Sequence, residues 1–296
     1  MALTDLPIQQ QASRRFFFRG YAVAAGGFLT RIGSQPVPLD PSKVTTHGES
    51  SLPLIGGVSH SLVRAPELTF PNNIRYGACE TFVEGRYDGT QTITTLRATV
   101  NDVRLTTGPT PDDNVPNVRS ISFRARSMML QAESVYPQNG PSTFTIHPAQ
   151  PTEMALVITD TSGNDTKLPI TLEFDQKTLS LSDMHKLDEE FRGDRQFFDR
   201  SLSCHSGLER PDFGNSSIPR TPRGFIVTSF VRQIRLGDEC IPGNVLTRKG
   251  FGTIQFGLTL VNPFGRRFVM AHIRMGSSPG GEADFCAVED TGDWGN

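Results

Sequence analysis

Residues 252–261 read Gly-Thr-Ile-Gln-Phe-Gly-Leu-Thr-Leu-Val, with Ile254, Phe256, Leu258 and Leu260 alternating against Gln255, Gly257 and Thr259. A period of two marks a half-buried β-strand, because successive side chains point to opposite faces of a sheet. Asn262-Pro263-Phe264-Gly265 follows, with proline second and glycine fourth in a four-residue turn. The apolar run Phe268–Met275 then returns. This stretch predicts an antiparallel hairpin of long strands, and the rest of the chain repeats the pattern.

Met154–Thr159 and Leu168–Phe174 flank the turn-rich tip Asp160-Thr161-Ser162-Gly163-Asn164-Asp165, a second hairpin. Phe225–Leu236 reads as one further strand. Thr92–Leu105 has the β-branched content of a strand pair or one long strand. In Ser120–Ser134, Ile121, Phe123 and Ala125 face one way and Arg124 and Arg126 the other. Residues 107–117 are a loop by composition, and Phe144-Thr145-Ile146 adds a short strand.

One segment differs. Ser180 is placed to cap a helix with Asp183 three residues on, and Met184, Leu187 and Phe191 form an apolar stripe that continues to Phe198. The expected fold is therefore mainly β. It is an antiparallel β-sandwich or partly closed barrel with long strands, in a single domain over residues 1–296. One helix is expected near 181–199, within a helix-and-loop insertion at about 180–224. Fixed-period repeats, the mark of propellers and solenoids, are absent from the sequence.

Composition agrees. Glycine and proline together supply 49 of 296 residues (28 and 21), which favours turns over long helices. Basic and acidic side chains nearly cancel at 29 against 31, so the electrostatic footprint of a nucleic-acid binder is missing. No apolar run approaches the roughly 18 residues of a membrane-spanning helix, so no transmembrane segment is expected. Five of the 29 basic residues are lysines and the rest arginines, a bias that a high-GC coding sequence also produces. Arginine is enriched at protein interfaces where lysine is depleted.

At the amino terminus, Ser13-Arg14-Arg15-Phe16-Phe17-Phe18-Arg19 resembles the twin-arginine export signal, which leaves a cytoplasmic or an exported protein open. Arg31 interrupts the following apolar stretch and no small-x-small cleavage site follows, which favours a strand instead. On that reading residues 15–24 form a paired strand with Phe16 or Phe17 buried. Ala25-Gly26-Gly27 turns, and residues 28–32 return. Residues 6–31 hold four arginines and no acid, whereas residues 281–296 hold five acids and no base. These ends could pair within one subunit or between neighbours.

Residues able to carry chemistry are scattered. Cys79, Cys204, Cys240 and Cys286 form no short-spaced ligand pair, so no zinc site is expected; they form disulfides or stay as buried thiols. The glycine-rich nucleotide fingerprints and hydrolase motifs are missing, and no cofactor is expected. Weak catalytic candidates are His60, His205 and His272, for a site assembled from distant residues. Ser59-His60-Ser61 itself reads as a turn with hydrogen-bonded side chains. Cys204 and His205, adjacent in sequence, cannot form a nucleophile–base pair directly. Asp160, Asn164 and Asp165 offer oxygen ligands for calcium but lack the bidentate glutamate of an EF-hand loop, and a plain hairpin tip accounts for them. Asp188-Glu189-Glu190 reads as a solvated helix face.

Three function classes follow. The first is a non-catalytic structural or interaction protein that self-associates into an oligomer or filament through β-sheet surfaces, its partner being itself and not nucleic acid. The second is an enzyme built from distant histidines and acids on a β scaffold. The third is a ligand- or carbohydrate-binding module, for which only Trp294, Tyr21, Tyr76, Tyr87 and Tyr136 could supply an aromatic platform.

Overall fold

The computed structural model describes residues 15–32, 35–36, 45–64, 73–109, 113, 115–139, 142–174, 226–262, 265–276 and 280–294. The helix expected at 181–199, the loop after it, Cys204 and His205 lie outside the described residues. In chain order the strands are β1 (Phe16–Phe17), β2 (Gly20–Ile32), β3 (Gln35–Pro36), β4 (Thr45–Ser51), β5 (Gly57–Val63), β6 (Ile74–Arg75) and β7 (Cys79–Tyr87). They continue with β8 (Gln91–Thr107), β9 (Val118–Pro137), β10 (Thr143–Pro148), β11 (Ala155–Asp160), β12 (Asp165–Phe174), β13 (Ile226–Ser229) and β14 (Val231–Leu236). The last are β15 (Glu239–Pro242), β16 (Val245–Arg248), β17 (Gly252–Asn262), β18 (Gly265–Met275), β19 (Gly280–Asp290) and β20 (Asp293–Trp294).

Apart from the two-stranded β1–β20 pair, these strands build two antiparallel sheets that face each other as a sandwich. The first has ten strands in the order β15-β14-β12-β11-β9-β8-β7-β5, with β10 on β9 and β6 on β8. The second has eight, in the order β13-β17-β18-β19-β2-β3, with β16 on β17 and β4 on β2. One apolar core joins them, and Phe144 of the first sheet stacks on Phe268 of the second at 4.6 Å between ring centroids. Phe123, Phe251, Phe256 and Phe285 are also fully buried. Each such ring contributes roughly 1.5–3 kcal/mol when fully buried.

Both expected hairpins are present: β11 pairs β12 around the 160–165 tip, and β17 pairs β18. Two local expectations need correction. Residues 25–27 make no turn. β2 runs straight through them between β19 and β4, because Gly26 and Gly27 permit close approach; a Cβ on Gly27 would lie 2.7 Å from the Glu282 carbonyl oxygen. Residues 225–236 are not one strand either. β13 belongs to the second sheet and β14 to the first, and the chain changes sheet at Phe230. The crossing is pinned by the Phe230 N–H donating to the Gly257 carbonyl (3.0 Å) and the Val231 N–H donating to Ser229 Oγ (2.9 Å).

Face alternation along β17 also differs from the simple pattern. Ile254 and Phe256 point into the core, whereas Leu258 and Leu260 join Val23, Val269 and Ala287 in a small apolar cluster apart from it. The reversal falls on Gly257, at φ 66°. Neighbouring strands reverse in the same line. Cys286 has φ 53° and Gly48 φ 65°, and in the intervening strands Met270 and Ala271, and Ala24 and Ala25, are consecutive core residues. Register survives the irregularity: Val269↔Ala287 and Ala271↔Phe285 lie on one diagonal. The first sheet does likewise at Asp102 (φ 51°) and Glu153 (φ 50°), where buried positions shift from Ile121, Phe123 and Ala125 to Met128, Leu130 and Ala132. The two lines meet across the core, where Cys286 Sγ donates to the Met128 carbonyl at 3.3 Å.

Gly257 carries this device with least tolerance. A Cβ there would sit 2.7 Å from Val231 Cγ2 and 3.0 Å from the Val231 nitrogen. Because a non-glycine residue held in the left-handed region costs about 1–3 kcal/mol before any clash, Gly257→Ala should lower stability by at least ~2 kcal/mol. Urea unfolding followed by circular dichroism measures this, and an unchanged midpoint would contradict it.

Candidate functional site

Of the histidines named from sequence, His60 and His272 lie on different sheets, and His205 lies outside the described residues. His60 lies on β5 at the edge of the first sheet, with Nε2 3.2 Å from Glu80 Oε1, and Arg97 reaches the same carboxylate at 3.2 Å. Ser59-His60-Ser61 is therefore strand and not a turn, because β5 pairs β7 along its whole length with His60 opposite Phe82. His272 lies on β18 in the second sheet, with Nδ1 2.7 Å from Asp284 Oδ1. Arg267 donates to the other oxygen of Asp284 at 3.0 Å. That carboxylate orients an imidazole and a guanidinium, but no serine, threonine or cysteine among the described residues hydrogen-bonds to the pair. Among the described residues no three His, Cys, Asp or Glu side chains cluster to hold a metal ion.

The tip oxygens weighed for calcium serve the hairpin. Asp160 accepts the Asn164 backbone N–H at 2.8 Å and the Asn164 side-chain amide at 3.0 Å. Asp165 accepts the Thr159 hydroxyl at 2.7 Å. Cys79 and Cys286 are buried free thiols and Cys240 is an exposed one. Burial pushes the Cys79 thiol up to about 12, so neither it nor Cys286, shifted the same way, is poised as a thiolate nucleophile. Of the tyrosines, Tyr76 and Tyr136 are buried, which leaves Tyr21 and Tyr87 exposed and no contiguous aromatic platform among the described residues.

A buried polar clamp was not legible from sequence. Tyr136 of β9 donates its hydroxyl to Asp290 Oδ2 of β19 at 3.0 Å, and Arg266 of β18 donates to the Tyr136 oxygen at 3.0 Å. The Arg266 guanidinium lies over the Tyr136 and Phe144 rings, 5.7 and 5.6 Å from their centroids. The Gly292 N–H also donates to Asp290, at 2.9 Å. Tyr136 and Asp290 are buried and Arg266 is half-buried, and the cluster joins the two sheets. Desolvation raises the Asp290 carboxyl above its ordinary 3.8 against the opposing pull of these donors.

The remaining feature is an edge. β5 has β7 on one side and, among the described residues, no strand on the other. The amino-terminal phenylalanines set its position. Phe18, and not Phe16 or Phe17, is the one fully inserted; it is 5% exposed, Phe16 is half-buried and Phe17 is open. The Phe18 ring is seated against two glycines, since a Cβ on Gly85 would fall 2.4 Å and one on Gly56 2.7 Å from its carbons. Its N–H donates to the Leu54 carbonyl at 3.0 Å, and the Gly56 N–H closes a turn onto Pro53 at 2.9 Å. These contacts launch β5 from the loop with Leu54 and Ile55 facing outward, Ile55 being 92% exposed. β5 itself is Gly-Val-Ser-His-Ser-Leu-Val, with Val58 59% and Leu62 46% exposed.

Comparison with protein-family models, with curated proteins and with solved structures returns no match. No helix among the described residues is long and apolar enough to cross a membrane.

Two outcomes follow from this geometry. Phe18→Ala should cost about 3–5 kcal/mol, the usual loss for a buried aromatic, and should raise proteolysis in the 53–57 loop; thermal melting and limited proteolysis check both. Asp290 contributes a pH slope. Its folded value lies above its unfolded value, so its contribution to stability is complete below 3.8 and is lost as pH rises through the raised folded value. Asp290→Asn should flatten that slope in urea midpoints taken across the acidic to neutral range. A variant as steep as the parent would refute the assignment.

Proposed function

We propose that the chain is a non-catalytic structural protein that self-associates through its β-sheet surface into an oligomer or filament. The supporting observation is where its exposed apolar side chains lie. Seven large hydrophobic residues among those described are exposed, and five of them lie on β5, in the turn before it or at the end of its neighbour β7. Leu54, Ile55, Val58 and Leu62 lie on β5 or the turn before it. Tyr87 ends the neighbouring strand, Phe17 precedes the residue that bonds Leu54, and Tyr21 lines a shallow hollow together with Leu54. Contiguous apolar surface of this kind on a folded protein marks an interaction site.

The other edges contrast with it. β3 is two residues ending in proline, and β13, β15 and β16 are four residues each, β15 with a glutamate and a proline and β16 with an arginine. β4 carries Glu49 and the left-handed Gly48. Short length, charge, proline and local irregularity are the ways natural sheets block edge pairing. β5 has seven residues without proline, Asp, Glu, Lys or Arg, and its left-handed glycine, Gly57 (φ 113°), stands at its first position.

Size-exclusion chromatography of the full chain with light scattering tests the proposal. The expected mass is a multiple of 32.5 kDa that grows with concentration and is insensitive to added salt, since apolar contacts are not screened. A mass of 32.5 kDa at every concentration would overturn it.

A further inference from the structure

Resting on that reading, we infer that β5 pairs with β5 of a second copy, antiparallel, about a two-fold axis through His60. The reason is the strand's own symmetry. Residues 58–62 read Val-Ser-His-Ser-Leu, which is the same from either end but for the swap of two aliphatic side chains. An isologous contact requires a surface that is complementary to itself, with residue i meeting j and j meeting i. With His60 on the axis, Val58 faces Leu62 of the partner subunit and Ser59 faces Ser61 of the partner subunit. Every pair across the contact is then apolar on apolar or hydroxyl on hydroxyl, apart from the central imidazoles.

Side-chain direction supports the same alignment. Val58, His60 and Leu62 alternate with the less exposed Ser59, Ser61 and Val63, and Val63 packs on the core. Both Val58–Leu62 pairs thus fall on one face of the extended sheet, where directly opposed Cβ atoms lie about 4.5–5.5 Å apart and bury each other. Each His60 already has its Glu80 neighbour at 3.2 Å, so the axis does not bring two unaccompanied imidazoles together. Shifting the register by one residue would put serines opposite aliphatics and lose both matches.

The inference is tested on the full chain by charge swap and by cross-linking. Val58→Lys alone and Leu62→Glu alone should each weaken the dimer at least tenfold. The double variant V58K/L62E should restore dimerisation, because the axis sets residue 58 of one copy against residue 62 of the other. Within one subunit these positions are four residues apart on a strand, about 13 Å, too far to compensate each other. In a background with Cys204 and Cys240 replaced by serine, His60→Cys should give a disulfide-linked dimer on mild oxidation. Glu84→Cys, one strand further in and, as the residue opposite Val58, about 20 Å from its symmetry mate, should not.

If the parent protein associates but the double variant is not rescued and His60→Cys does not cross-link, the β5 pairing is wrong while self-association through another surface stands. If the parent is monomeric throughout, both fall.

Discussion

The left-handed residues that cross each sheet in a line are the constraint on which the sandwich depends. A strand of 20 residues such as β9 would extend about 66 Å if straight, far beyond the width of one core. At Gly48, Gly257 and Cys286 in one sheet, and at Asp102 and Glu153 in the other, the backbone takes a positive φ and the alternation of faces reverses. Two consecutive core residues follow on the strands between, as at Ala24 and Ala25. Each long strand therefore bends and still presents its apolar side chains inward on both sides of the bend. Gly48 cannot carry a side chain here, because a Cβ would lie 2.9 Å from that of Cys79 across the core. The burial of two cysteines is thus bound up with the curvature of both sheets.

That constraint also defines how much of the fold a sequence can disclose. Strand existence was legible because apolar spacing of two persists over most of β8, β9, β17 and β18. The reversals were not, because they replace one residue's conformation without inserting or deleting a residue, and three of the five fall on Cys, Asp and Glu instead of glycine. Gly26-Gly27 carried the conventional turn signal yet serves close packing against Glu282. The break at Phe230 was hidden inside an unbroken apolar run. In the candidate site, the imidazole of His60 drew notice, whereas the near-palindrome around it and the run without Asp, Glu, Lys or Arg from Leu52 to Val63 did not. Neither has meaning until a topology shows that this strand lies at an edge.

Arginines on outward faces pair with acids of the next strand: Arg274 with Glu282 at 2.9 Å, Arg126 with Glu153 at 2.8 Å, Arg232 with Glu173 at 2.7 Å. Such exposed pairs are worth about 0–1 kcal/mol each and add little to folding. β1 pairs β20 within one subunit, Phe16 opposite Trp294, and Thr291 bonds the Arg19 carbonyl at 3.0 Å. The two chain ends are thus joined by backbone pairing inside the subunit.

A head-to-tail contact built on those ends would have generated rings or filaments, because nothing in it closes after two copies. An edge that pairs with itself about a two-fold axis closes immediately. It would merge two ten-stranded sheets into one and consume the apolar edge on both. Growth beyond a dimer would then need a second and different surface. The far edge of the same sheet, at β15, carries Glu239 and ends at Pro242, and proline cannot donate to a ladder. Under the proposed pairing, the distribution of edge residues would favour a finite assembly over a fibre: β5 would meet a copy of itself, while β15 carries residues of the kind that natural sheets use to remain solitary.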